Sequence, residues 1–207
     1  MSNAAWLNDR FRERVRDCIR EIESGTGAEV VATVCVRSGH YRHADYLVGV
    51  LFSLGALLFY LLYPEPLFDD IAVVLVVASF VVGALFSYAW SGLRRLLVSG
   101  KVLDEAVHKS ALASFVEQGI TNTRGRTGVL VYVSLFEKRA RVVADSGIPV
   151  ERLGDRWTAA VREIEVSSRK GADAFAVALL ALGPILAEAV PRAADDVNEL
   201  PDEMVKA

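Results

Sequence analysis

Two stretches of this chain run without a charge for about the length of a membrane-crossing helix, and they constrain the fold more than anything else in it. Leu47 to Tyr63 reads LVGVLFSLGALLFYLLY and Ile71 to Trp90 reads IAVVLVVASFVVGALFSYAW. A hydrocarbon core about 30 Å thick takes about 17 to 25 helical residues, and both runs fall in that window. Tyr46, Tyr60, Tyr63, Phe86, Tyr88 and Trp90 stand near the ends, where aromatic side chains anchor at membrane interfaces. A helix that is apolar all round can also be a buried core helix, but a small domain has little room to enclose two. The expectation is a transmembrane helical hairpin over residues 46–91, spanning at about 47–63 and 71–90, with the lipid bilayer as its partner.

The connector PEPLFDD, Pro64 to Asp70, is short, acidic and free of Lys and Arg, whereas Arg37, Arg42 and His43 precede the first run and Arg94, Arg95 and Lys101 follow the second. The positive-inside rule puts the basic flanks in the cytoplasm and the connector outside. This predicts a multi-pass protein of the cell (inner) membrane with its soluble part and both termini cytoplasmic. The N-terminus, MSNAAWLNDRFRERVRDC, reaches charged residues before an apolar core can form, so no cleavable signal is expected. Gly49, Gly55, Ser79 and Gly83 offer small-residue faces for helix association, which suits a homo-oligomer or a protein partner.

With 23 Lys and Arg against 26 Asp and Glu, the chain has no global attraction to nucleic acid, and none is expected as a partner. Two cysteines, Cys18 on an apolar helix face and Cys35 inside a strand pattern, read as small buried hydrophobes in a reducing compartment.

Outside the hairpin the periodicity alternates between helix and strand. Phe11, Val15, Cys18, Ile19 and Ile22 recur at helical spacing; EVVATVCV, Glu29 to Val36, has the continuous apolar character of a strand covered on both faces. Leu103, Ala106, Val107, Ser110, Ala111, Ser114 and Phe115 trace another helical stripe. VLVYVS from Val129 and RARVVAD from Arg139 come next as strands joined by LFEK, and two helices carry Leu153 to Ile164 and Phe175 to Leu186. The predicted fold is α/β: a small mixed sheet flanked by helices, its first two strands parallel and its second and third antiparallel. Residues 1–45 and 92–207 form one discontinuous domain interrupted by the hairpin, and the acidic tail after Pro191 reads as a solvated end.

Three constellations bear on chemistry. The loop TNTRGRTG, Thr121 to Gly128, offers backbone N–H groups and the guanidinium forks of Arg124 and Arg126 to a phosphate or carboxylate, or is simply a helix stop and strand entry. Asp145, in VVADSGIP, emerges at a sheet rim beside Ser146 and Gly147, where ligands of open α/β sheets gather; alternatively its carboxylate bonds the turn's own N–H groups. His40, His43 and Asp45 are close in sequence, as metal ligands or as an amphipathic juxtamembrane linker. His108 has no evident partner, and the sequence contains no catalytic triad, zinc motif or dinucleotide fingerprint.

TGAEVVATV from Thr26, TNTRGRTGVLVYVSLFEKRARVVADSGI from Thr121, RWTAAV around Trp157 and PRAADDVNELPDEMV near the C-terminus together resemble the TPM domain, named after a plant thylakoid lumen protein and its relatives. The resemblance implies a small sheet flanked by helices. Members of that family include acid phosphatases, calcium binders, factors in photosystem II repair and receptor-associated membrane proteins, so it implies a fold more firmly than a reaction. It places the family's acidic turn on Asp145 and Gly147, its loop on Thr123, Arg126 and Gly128, and its first acidic position on Glu29. In KGADAF, Asp173 stands where the family often has a glycine-acidic pair. The hairpin departs from many members, which are lumenal, periplasmic or single-anchored; taken with it, the resemblance implies a membrane-anchored interaction or assembly module with Asp145, Glu29 and Asp173 as ligands for Ca2+ or another divalent cation. The alternative is a weak phosphomonoester hydrolase that uses Asp145 catalytically, with Thr123, Arg124, Arg126, Gly128, Ser146 and Gly147 binding the phosphate.

Overall fold

The computed structural model describes residues 4–63, 69–193, 198–200 and 204–206. Helices α1 (Ala4–Leu7) and α2 (Asp9–Gly25) lead into strand β1 (Glu29–Cys35); α3 (Arg42–Leu62), α4 (Asp69–Ala89), α5 (Ser91–Leu97) and α6 (Gly100–Glu117) come after it. Strands β2 (Gly128–Ser134) and β3 (Arg139–Ala144), helices α7 (Val150–Lys170), α8 (Ala172–Leu180) and α9 (Leu182–Ala189), and a two-residue strand β4 (Val205–Lys206) complete the order. The middle of the expected connector, residues 64–68, lies outside the described residues.

The chain divides into two compact units, residues 1–38 with 104–207, and residues 39–103. The second unit is wider than the expected 46–91. It takes in flanking residues on both sides of the helical pair, among them Asp45 and Arg94, which pair with each other inside it.

In the first unit the sheet runs β3-β2-β1-β4. β1 pairs parallel with β2, Glu29 opposite Gly128, and β2 pairs antiparallel with β3, Val129 opposite Ala144. β1 and β2 are buried along their whole length, as expected of strands covered on both faces. Because side chains alternate, Val30, Ala32, Val34, Val129, Val131 and Val133 face one side. There they meet Phe11, Val15 and Ile19 of α2, Trp157 and Ile164 of α7, and Phe175, Leu179, Leu182 and Leu186 of α8 and α9. Val31, Cys35, Leu130 and Tyr132 face the other side and pack on Val107, Ala111 and Phe115 of α6. The helix α2 begins as its sequence asks, with Asn8 Oδ1 accepting the Phe11 N–H at 2.7 Å.

The acidic tail is not a free end. Pro191 bridges Thr26, Glu29 holds the segment at Glu199 and Leu200, and Val205 pairs parallel with Thr33 at the edge of β1. These partners lie on the far side of the sequence, so local composition gave no sign of them.

In the second unit α3 and α4 pack antiparallel. Ser53 Oγ donates to Val76 O at 2.9 Å, Tyr46 stacks on Phe80, and Phe52 meets Phe86. A Cβ on Gly49 would come within 2.9 Å of the Phe80 carbonyl oxygen, and one on Gly83 within 2.9 Å of the Val48 carbonyl oxygen. Gly49 and Gly83 therefore serve close approach within the pair, while a Cβ on Gly55 meets nothing within 4 Å. The outward side chains, among them Leu47, Leu51, Leu54, Leu58, Leu62, Val73, Val77, Val81 and Leu85, stay exposed.

Among the described residues, three helical stretches are long and apolar enough to cross a membrane: Arg42–Leu62, Ile71–Ala89 and Ala172–Ala189. The third is divided at Ala181 into α8 and α9 and buries Phe175, Leu179, Leu182 and Leu186 completely. Its apolarity serves the core of the first unit.

Candidate functional site

The rim at Asp145 is assembled from two glycine-bearing segments pressed together. Gly119, at φ 68°, ends α6 in the left-handed conformation that glycine tolerates, and the chain then makes a short 3₁₀ turn, Ile120–Asn122. Ile120 is fully buried beneath Gly128, where a Cβ would lie 2.4 Å from its Cγ2. The buried Thr123 hydroxyl accepts the Thr127 N–H at 3.1 Å, and its carbonyl accepts the Arg126 N–H at 3.1 Å. Arg126 itself sits at φ 53°, an uncommon conformation for a residue with a Cβ and one that persists only where its surroundings hold it. They do: its carbonyl accepts the Gly147 N–H at 2.8 Å, and its side chain reaches Asp145.

Asp145 comes directly after β3, its N–H donating to Gly128 O at 2.9 Å. Its side chain is 4% exposed. Oδ1 accepts from Arg126 Nε at 3.0 Å, from an Arg126 terminal nitrogen at 2.9 Å, from the Ser146 N–H at 2.7 Å and from the Ser146 hydroxyl at 3.3 Å. Oδ2 is buried with no hydrogen-bond partner among the described residues. The two oxygens of this carboxylate stand differently. One oxygen organises the turn, and the other is a desolvated acceptor of the kind that costs free energy when left unmatched.

The rim lies at the other end of the sheet from the one the strand-end rule favours. β3 runs antiparallel to β2, so its end stands beside the beginnings of β1 and β2, next to Gly128 and, one strand further, Glu29. The rule concerns the carboxyl ends of parallel strands and lends Asp145 no support.

Thr123, Arg126, Gly128, Ser146 and Gly147 thus meet at this rim, whereas the other two expected metal ligands, Glu29 and Asp173, are engaged with partners of their own. Glu29 is buried, its two carboxylate oxygens accepting the N–H groups of Glu199 at 3.2 Å and Leu200 at 3.3 Å, while Arg124 N–H donates to the Glu199 carboxylate at 3.0 Å. Glu29 is thus engaged in fastening the tail. Asp173 opens α8 and pairs with Arg14, beside an open cleft lined by Asn8, Arg10 and Phe11. Among the described residues no three His, Cys, Asp or Glu side chains come together as a metal site, so the expected trio of Asp145, Glu29 and Asp173 does not assemble. Near the helical pair, Asp45 is taken by Arg94 and Ser87, and His43 packs edge-on against Tyr41.

The carboxyl ends of β1 and β2 carry a polar network that strand periodicity concealed. Ser38 uses every polar atom: its N–H donates to Glu137 Oε1 at 3.1 Å, and its carbonyl accepts the Ser110 hydroxyl at 3.1 Å. Its hydroxyl meets Tyr132 OH at 3.0 Å and Ser134 Oγ at 2.8 Å. Ser134 in turn donates to Glu137 Oε2. The network's hydroxyl-bearing members come from separate parts of the chain, Ser38 from the loop after β1, Ser110 from α6, and Tyr132 and Ser134 from β2.

Burial, followed by a hydrogen bond with Cys35, raises the Tyr132 phenol above its ordinary value of 10.0. The folded protein keeps that proton when the unfolded chain releases it, so stability falls as pH rises above 10.0. Tyr132→Phe removes this part of the alkaline slope in denaturation curves recorded from about pH 9 to 11, the range that brackets an ordinary tyrosine. An unchanged slope would show that the phenol titrates freely. Cys18 and Cys35 are buried free thiols, and burial also pushes the Cys18 thiol up, which suits packing residues better than nucleophiles.

No protein-family model matches the chain, and no curated protein matches it. Among solved structures it resembles the NMR structure of the BA42 protein from the psychrophilic bacterium Bizionia argentinensis. The TM-score is 0.58 at 18% identity, over 98% of this chain and 96% of that one. At that identity the likeness speaks for the fold alone, a small mixed sheet flanked by helices.

Proposed function

We propose that this chain is a membrane-anchored, TPM-like interaction or assembly module. Its helical pair sits in the cell (inner) membrane, its α/β unit and both termini are cytoplasmic, and the rim at Asp145 and Thr123 receives a partner segment or a divalent cation such as Ca2+. The anchoring rests on one observation. Two consecutive helices of 21 residues leave their apolar side chains uncovered along their length, an arrangement that water disfavours and lipid accepts.

The rim reading is supported by the unmatched Oδ2 of Asp145. A cation there would take that oxygen together with backbone oxygens and water, since Glu29 and Asp173 are engaged elsewhere. The hydrolase reading is the weaker one. It needs Asp145 to reach a phosphoryl group, and the carboxylate lies buried against the Arg126 guanidinium.

The test is thermal unfolding of the full chain in detergent with millimolar Ca2+, Mg2+ or Mn2+, comparing wild type with Asp145→Asn. A cation at about one hundred times its Kd stabilises the native state by about 2.7 kcal/mol. The wild-type midpoint rises and the variant's does not. No shift in either protein removes the cation and leaves the rim to a protein segment. Orientation is checked separately: an impermeant thiol reagent on whole cells labels a cysteine placed in the 64–70 connector and fails to label one in the C-terminal tail.

A further inference from the structure

Resting on the membrane reading, a second surface is built into the helical unit itself. Just past α4 the sequence is Trp90 and then SGLRRLL, two adjacent arginines among leucines. The structure sends those arginines in different directions. Arg94 turns inward, its side chain 5% exposed, with Nε donating to Asp45 Oδ1 at 2.9 Å, a terminal nitrogen donating to Tyr88 O at 3.0 Å, and its guanidinium 5.0 Å from the Tyr88 ring centroid. Ser87 Oγ donates to the same Asp45 oxygen at 2.8 Å.

That internal cluster consumes the one carboxylate at this end of the unit, because the other acidic residues between Gly39 and Leu103 are Glu65, Asp69 and Asp70 around the opposite connector. Arg42, Arg95 and Lys101 are left with no carboxylate partner among the described residues. On the outside of the same end, Leu96 is 81% exposed and Trp90 59%. Trp90 and Leu96 uncovered around α5, with Arg95 on that helix, Arg42 at the start of α3 and Lys101 at the start of α6, give this end of the unit the composition of a membrane interface, where apolar side chains turn toward the acyl chains and cations lie among the phosphates.

We propose that Trp90, Leu96, Arg42, Arg95 and Lys101 form an interfacial collar that binds the headgroup phosphates of anionic lipids, and that the Asp45–Arg94 pair positions α5 for this by holding Arg94 in and turning Arg95 and Leu96 out. Each cation near an anionic surface favours it by about five-fold at moderate salt, and salt screens the effect.

The experiment reconstitutes the full chain in vesicles of phosphatidylcholine containing about one third phosphatidylglycerol, and measures by spin-labelled lipids how strongly each lipid associates with the protein. Wild type selects the phosphatidylglycerol label several-fold over the phosphatidylcholine label, and about 1 M salt abolishes the preference. Arg95→Gln with Lys101→Gln, both surface changes, brings the ratio close to one while the protein stays in the bilayer. Equal association of the two labels with wild type, or a preference that survives the double variant, overturns the collar. A preference erased by inorganic phosphate at constant ionic strength assigns the cations to free phosphate and overturns the lipid assignment. Absence of any protein-restricted lipid, with either label, refutes the membrane reading itself, a result distinct from restricted lipid without selectivity.

Discussion

Gly147→Ala will cost the first unit about 3 kcal/mol or more, as overpacking against backbone does when nothing can rotate away. A Cβ at Gly147 falls 2.1 Å from the carbonyl oxygen of Gly125 and 2.6 Å from that of Arg126. Neither obstacle is the end of a flexible side chain, so the two segments must separate. Separation breaks the Gly147 N–H bond to Arg126 O, draws the Arg126 guanidinium off Asp145, and releases the strained φ of Arg126. Trp6 and Trp157, both buried in the first unit, report its denaturation by fluorescence in a Trp90→Phe background. The control is Gly25→Ala at the end of α2, where a Cβ meets nothing within 4 Å; it should leave stability unchanged or raise it by about 0.5 kcal/mol. If the two variants behave alike, the rim is looser than its backbone contacts require.

That rim shows what a sequence can and cannot disclose. The strands were legible because Val, Ala and Thr in unbroken or alternating runs have few other places to go, and Val142 with Ala144 and Val143 do face opposite sides. The parallel and antiparallel pairings were implied by connection lengths. The same pairings, carried one step further, would have put Asp145 beside Glu29 and Gly128 at the starts of the parallel strands, so the misplaced support from the strand-end rule was an error of inference. What was not legible is long-range. Glu29 fastening the backbone of Glu199 and Leu200, and Ser38 joined to Ser134 and Glu137, depend on partners that no window of sequence contains. The helix α5 was missed for a different reason: at seven residues it is too short to show a period. Its adjacent arginines read as one basic flank, although one is buried and the other half-exposed.

Asp45→Ala will destabilise the helical unit by about 3 to 5 kcal/mol, the scale for removing one partner of a buried ion pair. The loss is larger than that of the contacts themselves because Arg94 stays behind, 4% exposed, with the Tyr88 carbonyl and ring as its remaining partners. Ser87, fully buried, loses its acceptor at the same time. The charge cannot be discarded by titration, since a guanidinium keeps its proton in proteins, so the unit must open to hydrate it. The double variant Asp45→Ala, Arg94→Met removes the stranded charge while keeping much of the side-chain volume, and so should recover most of what the single change loses. Trp90 tracks both in an SDS titration of the micelle-bound chain carrying Trp6→Phe and Trp157→Phe. Full recovery in the double variant would mean that the pair fixes how α3, α4 and α5 are arranged and adds little net stability, the role best attested for buried charges. A single-variant loss below about 1 kcal/mol, the range of an exposed pair, would place Arg94 in contact with water and remove the reason for α5 to present Arg95 and Leu96 outward.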